Sequence, residues 1–187
     1  MKNDPIERVE LTTERLLLRP FEVGDVDDVL AYASDPELAR FLDLPQPYTR
    51  DNAEEYIARR ILDDWSNEAM FAIVWERRVV GSIGLHINVR HETAEMGYAL
   101  ARKMWGRGIV PEAGRAVIDW GFHEYGLHKV FAESNVRNHQ SWRVMEKLGM
   151  TREGLLRGRH KARDGHVDFV YYGVLREEWE RIQGDSA

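Results

Sequence analysis

The sequence predicts an α/β (α+β) domain, with a mixed, mostly antiparallel, twisted sheet of about seven strands built around one β-α-β unit. Three observations predict it. Segments 71–75 and 79–87 are rich in β-formers and separated by a short charged turn, as in a hairpin. Segments 94–100 and 129–134 read as strands and enclose a helix-periodic stretch, 110–125, a crossover that makes its two strands parallel. Segments 152–160 and 167–174 flank Arg163-Asp164-Gly165, a hairpin-turn sequence.

Taken in order, residues 16–21 read as a strand. Val26, Val29, Leu30 and Ala33 then recur at helical spacing. Asp35-Pro36 places a cap before a proline and opens a short helix through Phe41. Pro45 and Pro47 mark a loop. Thr49 caps a helix whose apolar stripe is Ala53, Tyr56, Ile57, Ile61 and Trp65. After the central hairpin and strand 94–100, the helix 110–125 carries Ala113, Ala116, Val117 and Trp120 on one face, and Gly126 follows as its C′ residue. Residues 138–148 form a further helix closed by Gly149, ahead of the final strand pair.

The chain has 187 residues, 43% hydrophobic and 31% charged, which fits one globular domain, residues 1–187 with a core from about 10 to 180. No apolar run approaches the roughly 18 residues of a membrane span, and segment 1–8 is charged, without the apolar stretch of a secretory signal. The absence of cysteine excludes disulfides, thiolate metal sites and a cysteine nucleophile, and a cytoplasmic location is expected. A net charge of −6 argues against direct nucleic-acid binding. The seven histidines show no metal-ligand spacing, so no metal is expected.

Between strand 94–100 and the following helix lies Trp105-Gly106-Arg107-Gly108-Ile109-Val110-Pro111-Glu112. Two glycines let backbone amides approach an anion, and a helix start offers unpaired N–H groups and a positive dipole end. Arg107 adds charge. The segment reads as a diphosphate cradle; read alone, it also fits a turn that merely connects strand to helix. A P-loop lysine and the third glycine of a dinucleotide fingerprint are both missing.

A second constellation runs from Asn138 to Gly149. Asn138 and Ser141 are three apart and share a helix face that Val144, Met145 and Leu148 continue. Asn138 also reads as a plain N-cap. An inward Ser141 hydroxyl needs a partner, which a ligand can supply.

With these motifs in view, the chain resembles the GNAT-superfamily N-acetyltransferases, and within them the RimJ/RimL-like group. The resemblance rests on Thr13-Glu14-Arg15-Leu16-Leu17-Leu18-Arg19-Pro20, Gly97-Tyr98, Trp105-Gly106-Arg107-Gly108, Glu112-Ala113, residues 138–149 and Glu178-Trp179, spread over nearly the whole chain. It implies acetyl-CoA as co-substrate, with the β-α-β unit splayed around it. The pantetheine arm would pair with the backbone at Leu100, and residues 105–110 (Trp105, Gly106, Arg107, Gly108, Ile109 and Val110) would hold the diphosphate. Asn138 would bind the cofactor arm. Trp105 stands in the first slot of the family's phosphate motif, and Val110, followed by Pro111, departs from its last small-residue slot.

The implied chemistry is direct attack of an amine on the thioester in a ternary complex. Ser141 is the candidate donor to the leaving thiolate and Glu95 the candidate base, acting through water. Ala94, Met96, Tyr98 and Leu100 alternate onto one strand face and leave Glu95 on the other, where it also fits a solvated carboxylate. Tyr98, Tyr171 and Tyr172 fit either the site or the core. The acceptor would be a protein N-terminal α-amine or a small-molecule amine, and a homodimer is a family-level expectation. The alternative is a non-catalytic CoA-binding sensor of the same fold, favoured by Val110.

Overall fold

The computed structural model describes residues 6–42, 44–162 and 165–184. Asp43, an acidic residue of the proline-flanked loop, and the turn residues Arg163 and Asp164 lie outside the described residues.

Eight strands form one sheet in the order β1-β2-β3-β4-β5-β6-β8-β7. They are β1 (Leu11–Thr12), β2 (Leu17–Arg19), β3 (Glu68–Trp75), β4 (Arg78–Asn88), β5 (Thr93–Leu100), β6 (Lys129–Asn135), β7 (Thr151–Ala162) and β8 (Gly165–Leu175). The helices are α1 (Val26–Ala33), α2 (Pro36–Ala39), α3 (Arg50–Leu62), α4 (Ile109–Tyr125), α5 (His139–Lys147) and α6 (Arg176–Gly184). The eight strands bear out the expected sheet of about seven, the addition being β1, only two residues long and too short to leave a period in the sequence. The pairs β1–β2, β2–β3, β3–β4, β6–β8 and β7–β8 are antiparallel, and β5–β6 is parallel. The parallel register runs from Thr93↔Lys129 to Glu95↔Phe131, while β5 continues to Leu100 and β6 to Asn135.

The chain forms two compact units. The first comprises Met1–Ile87 and Gly97–Val117, the second Asn88–Met96 and Ile118–Ala187. In the first unit α1 packs on α3. Leu18, Val29, Ile57, Phe71, Ile73, Ile83 and Leu85 are fully or almost fully buried; each such side chain contributes about 1.5–3 kcal/mol of burial. Both expected caps are present. Asp35 accepts from Glu37 N at 2.9 Å, and Thr49 forms a reciprocal box with Asn52. The apolar stripe of α3 overreached, however: the helix ends at Leu62, and Trp65 is buried from the following turn, edge-on to Phe71 at 4.8 Å.

In the second unit Val130, Ala132 and Ser134 of β6 and Val170, Tyr172 and Val174 of β8 are buried, and α5 packs on both strands. Lys129, Phe131 and Glu133 occupy the alternate, half-exposed face. The final helix α6, which the sequence pattern left unread, seats Trp179 beside Phe122, with its indole N–H donating to Asp119 Oδ1 at 3.2 Å. Gly126 and Gly149 close α4 and α5 in the left-handed region, at φ +62° and +76°.

Candidate active site

The first unit carries the glycine turn. β5 ends at Leu100, whose side chain is buried. Ala101 N then donates to Val80 O at 2.8 Å and fixes the exit of the strand against β4. A single 3₁₀ turn, Arg102–Met104, buries Met104, and the chain emerges at Trp105. The Trp105 indole N–H donates to the Leu100 carbonyl at 2.8 Å, so the residue in the family's first motif slot braces the strand end. Gly81 of β4 makes the same strand end possible from the other side. A Cβ at Gly81 would lie 2.3 Å from the Ala99 carbonyl oxygen and 3.0 Å from Leu100 Cα.

Gly106 and Gly108 adopt φ +75° and +77°. For an L side chain that conformation costs about 1–2 kcal/mol per residue, which is why glycine stands at both positions. α4 begins at once, at Ile109. Ile109 and Val110 are buried, at 1% and 5% exposure, so their side chains belong to the core. Pro111, in the first helical turn, lacks an N–H where no intrahelical partner exists. Gly106 and Arg107 are exposed, and a Cβ on Gly106 would meet open space. The turn thus presents backbone amides, the positive end of a 17-residue helix and one arginine to solvent, a donor set that fits a diphosphate.

Three residues behind the turn carry structure that the motif reading did not assign. Glu112 of α4 accepts from Thr13 Oγ1 at 2.5 Å and from Arg15 N at 2.9 Å through one oxygen, and from Arg15 Nε at 2.6 Å through the other. Arg15 also donates through Nη1 to the Arg107 carbonyl at 3.1 Å and lies over the Trp75 ring. Burial alone would raise the Glu112 pKa; the bonds from Thr13 and Arg15 outweigh it and hold the carboxyl below its ordinary range. Thr13, Arg15 and Glu112 all stand in the segments that carry the resemblance, which is the sequence signal that marks them.

The remaining expected residues, Tyr98 apart, belong to the second unit. Glu95 is half-buried on β5, opposite Phe131 of β6, on the strand face away from buried Ala94 and Met96, as the alternation predicts. Tyr171 stacks on Phe131 at 4.9 Å. Its hydroxyl pKa is pushed up to about 12 by burial and then by the carboxylates of Glu153, Glu95 and Glu133, so it stays protonated at neutral pH. Asn138 is the N-cap of α5; its side chain accepts from Ser141 N at 3.3 Å. Ser141 sits half-buried in the first turn of α5, on the side that continues through Met145 and Leu148 into the core. Of the tyrosines, Tyr98 is half-buried, whereas Tyr172 is buried and donates to Glu146 at 3.3 Å.

Comparison with known proteins shows the family and the fold. The acetyltransferase (GNAT) domain model matches residues 15–151. The uncharacterized N-acetyltransferase p20 of Bacillus licheniformis is 33% identical over 175 residues, covering 90% of this chain and 97% of that protein. The crystal structure of a GNAT-family acetyltransferase from Bacillus anthracis matches with a TM-score of 0.80 at 30% identity, over 90% of this chain and 99% of its own. The Microcin C7 self-immunity acetyltransferase MccE, solved with acetyl-CoA and AMP, shares the fold with a TM-score of 0.77 at 18% identity, over 87% of this chain and 93% of its own.

By class, the protein is an acetyl-CoA-dependent acyltransferase. Within that class, the chain belongs to the GNAT family of acetyltransferases.

Proposed function

We propose that the chain is an N-acetyltransferase of the RimJ/RimL-like group, which moves an acetyl group from acetyl-CoA to an amine by direct attack in a ternary complex. The acceptor in this reading is a protein N-terminal α-amine or a small-molecule amine. The observation that carries it is the turn 105–110. Two left-handed glycines and a helix start expose amides suited to the diphosphate of acetyl-CoA. Segments 13–20 and 112–113 support the RimJ/RimL-like assignment. Among the described residues no helix is long and apolar enough to cross a membrane. With the lack of cysteine, this agrees with the cytoplasmic location proposed here.

The amine nitrogen attacks the thioester carbonyl carbon, and its proton passes through water to Glu95. A backbone N–H near Leu100 stabilises the developing oxyanion. The carbon–sulfur bond breaks, the Ser141 hydroxyl donates a hydrogen bond to the leaving thiolate, and the thiolate takes its proton from solvent. Asn138 holds the cofactor arm. A weak base of this kind suits an α-amine, of which roughly a tenth is unprotonated at neutral pH, better than a lysine-like amine at about 0.04%. Burial of the Val110 side chain supports the catalytic reading over the non-catalytic sensor.

The experiment is a CoA-release screen with acetyl-CoA across N-terminal peptides, lysine-like amines, polyamines and aminoglycosides, on wild type and Ser141→Ala. Turnover is expected with at least one amine. Ser141→Ala should lower it by about 10²-fold or more, with CoA affinity within about twofold of wild type. Binding without turnover on any amine would instead support the sensor, and an unaltered Ser141→Ala rate would remove that residue from the chemistry.

A further inference from the structure

We infer that Arg15 is a positioning residue for the diphosphate turn, acting at once on the peptide that supplies an amide and on the carboxylate behind it. The inference rests on the placement of the diphosphate at residues 105–110 proposed above.

A carboxylate in the first turn of α4 favours the helix, because it faces the positive dipole end. The same position is unfavourable for an anionic ligand at that helix start, since carboxylate and phosphate repel and compete for one positive field. Glu112 occupies that position. Its carboxylate is engaged by donors from the N-terminal segment. One oxygen receives the Thr13 hydroxyl and the Arg15 amide, and the other receives the Arg15 guanidinium. The Arg15–Glu112 ion pair closes at 2.6 Å, with the carboxylate only 17% exposed. The ion pair therefore offsets the negative charge that Glu112 brings to this helix start.

The second effect is geometric. Arg15 Nη1 holds the Arg107 carbonyl oxygen at 3.1 Å. In a trans peptide the C=O and the following N–H point in opposite directions. Drawing the Arg107 carbonyl toward Arg15 turns the Gly108 N–H to the opposite side. Arg15 lies on the Gly108 side of the turn: a Cβ there would sit 3.6 Å from Nη2. One guanidinium fork thus joins the N-terminal segment, the glycine turn and α4, and orients an amide without touching the ligand.

The test uses the full chain, with CoA affinity measured by calorimetry and inorganic diphosphate as competitor, for wild type, Arg15→Ala and Arg15→Lys. Arg15→Ala should raise the Kd for CoA tenfold or more and raise the Ki of inorganic diphosphate by a similar factor. Arg15→Lys keeps the charge but cannot span both partners, and should fall between. Circular dichroism establishes that each variant is folded, and Arg15→Lys decides alone if Arg15→Ala is not. Folded variants with a Kd within twofold of wild type overturn the inference. So does a weakened CoA Kd with an unchanged diphosphate Ki, which places the loss elsewhere. Wild type that binds CoA without competition from diphosphate is a separate result: it ends the placement of the diphosphate at this turn, and the role of Arg15 with it.

Discussion

At the scale of single residues, Glu112 shows how an ionisable group records its neighbours. Its folded-state pKa lies below the ordinary carboxylate value, because the bonds from Thr13 and Arg15 outweigh the cost of burial. A depressed pKa means that the charged form is favoured by folding. The associated stability is present above the unfolded-state pKa of about 4.3 and is lost as pH falls through the lower folded value. Glu112→Gln keeps an acceptor for Thr13 and the Arg15 amide but carries no charge. Wild type should therefore be the more stable protein at pH 7, and its advantage should shrink below about pH 4. Urea unfolding of both proteins at pH 7, 5 and 3.5 measures this, and a gap constant with pH would show that the charge is not what Arg15 holds. The contrast with residues 105–110 explains what could be read from sequence here. The turn is local: two glycines, five and three residues ahead of a proline, announce its backbone. The contacts of Glu112 reach back across 97–99 residues, and no local pattern encodes such a pairing. Only the family-like segments around both ends marked them, and they did so without assigning a role.

At the scale of elements, the caps and periods that specify a helix by itself were readable, as Asp35, Thr49 and Asn138 show. What failed was any feature decided by packing alone. Trp65 obeys the apolar period of α3 and is buried, but the backbone leaves the helix at Asp63 and delivers the same ring from a turn. Burial is encoded by the pattern; the route of the chain to it is not. α6 offers only Trp179 and Ile182 as apolar positions in nine residues, too few to register a period before its Trp179 is seen against Phe122. Gly81 is a packing feature of the same kind, a glycine inside a strand with no turn to explain it. Its place follows from the backbone of β5, 2.3 Å from where a Cβ would sit. Because the obstacle is main chain, Gly81→Ala must displace residues 99–100, the strand end braced by Trp105. The expected outcome is a destabilisation of about 1–3 kcal/mol in urea unfolding, together with weaker CoA binding. A variant of wild-type stability would mean that β5 moves aside freely, and that its end is not held as the contacts indicate.

At the scale of the whole molecule, two compact units share secondary structure. β5 contributes Thr93 to Met96 to one unit and Gly97 to Leu100 to the other, and α4 divides after Val117. Unfolding either unit alone would cut a strand and a helix in mid-element, leaving unpaired backbone groups and a truncated helix of poor stability. The units should therefore unfold together, in one transition. Inorganic diphosphate makes that testable, because the glycine turn proposed to hold it belongs to the first unit. At 100 times its Kd it stabilises the folded state by about 2.7 kcal/mol, which for a chain of this size raises the melting temperature by about 5–10 °C. If the units are coupled, near-UV circular dichroism and the fluorescence of tryptophans in both units, Trp105 in the first and Trp179 in the second, should report a single midpoint that moves by that amount. Two midpoints, of which diphosphate shifts only the one reported by the first unit, would show that the shared strand and helix do not enforce cooperativity.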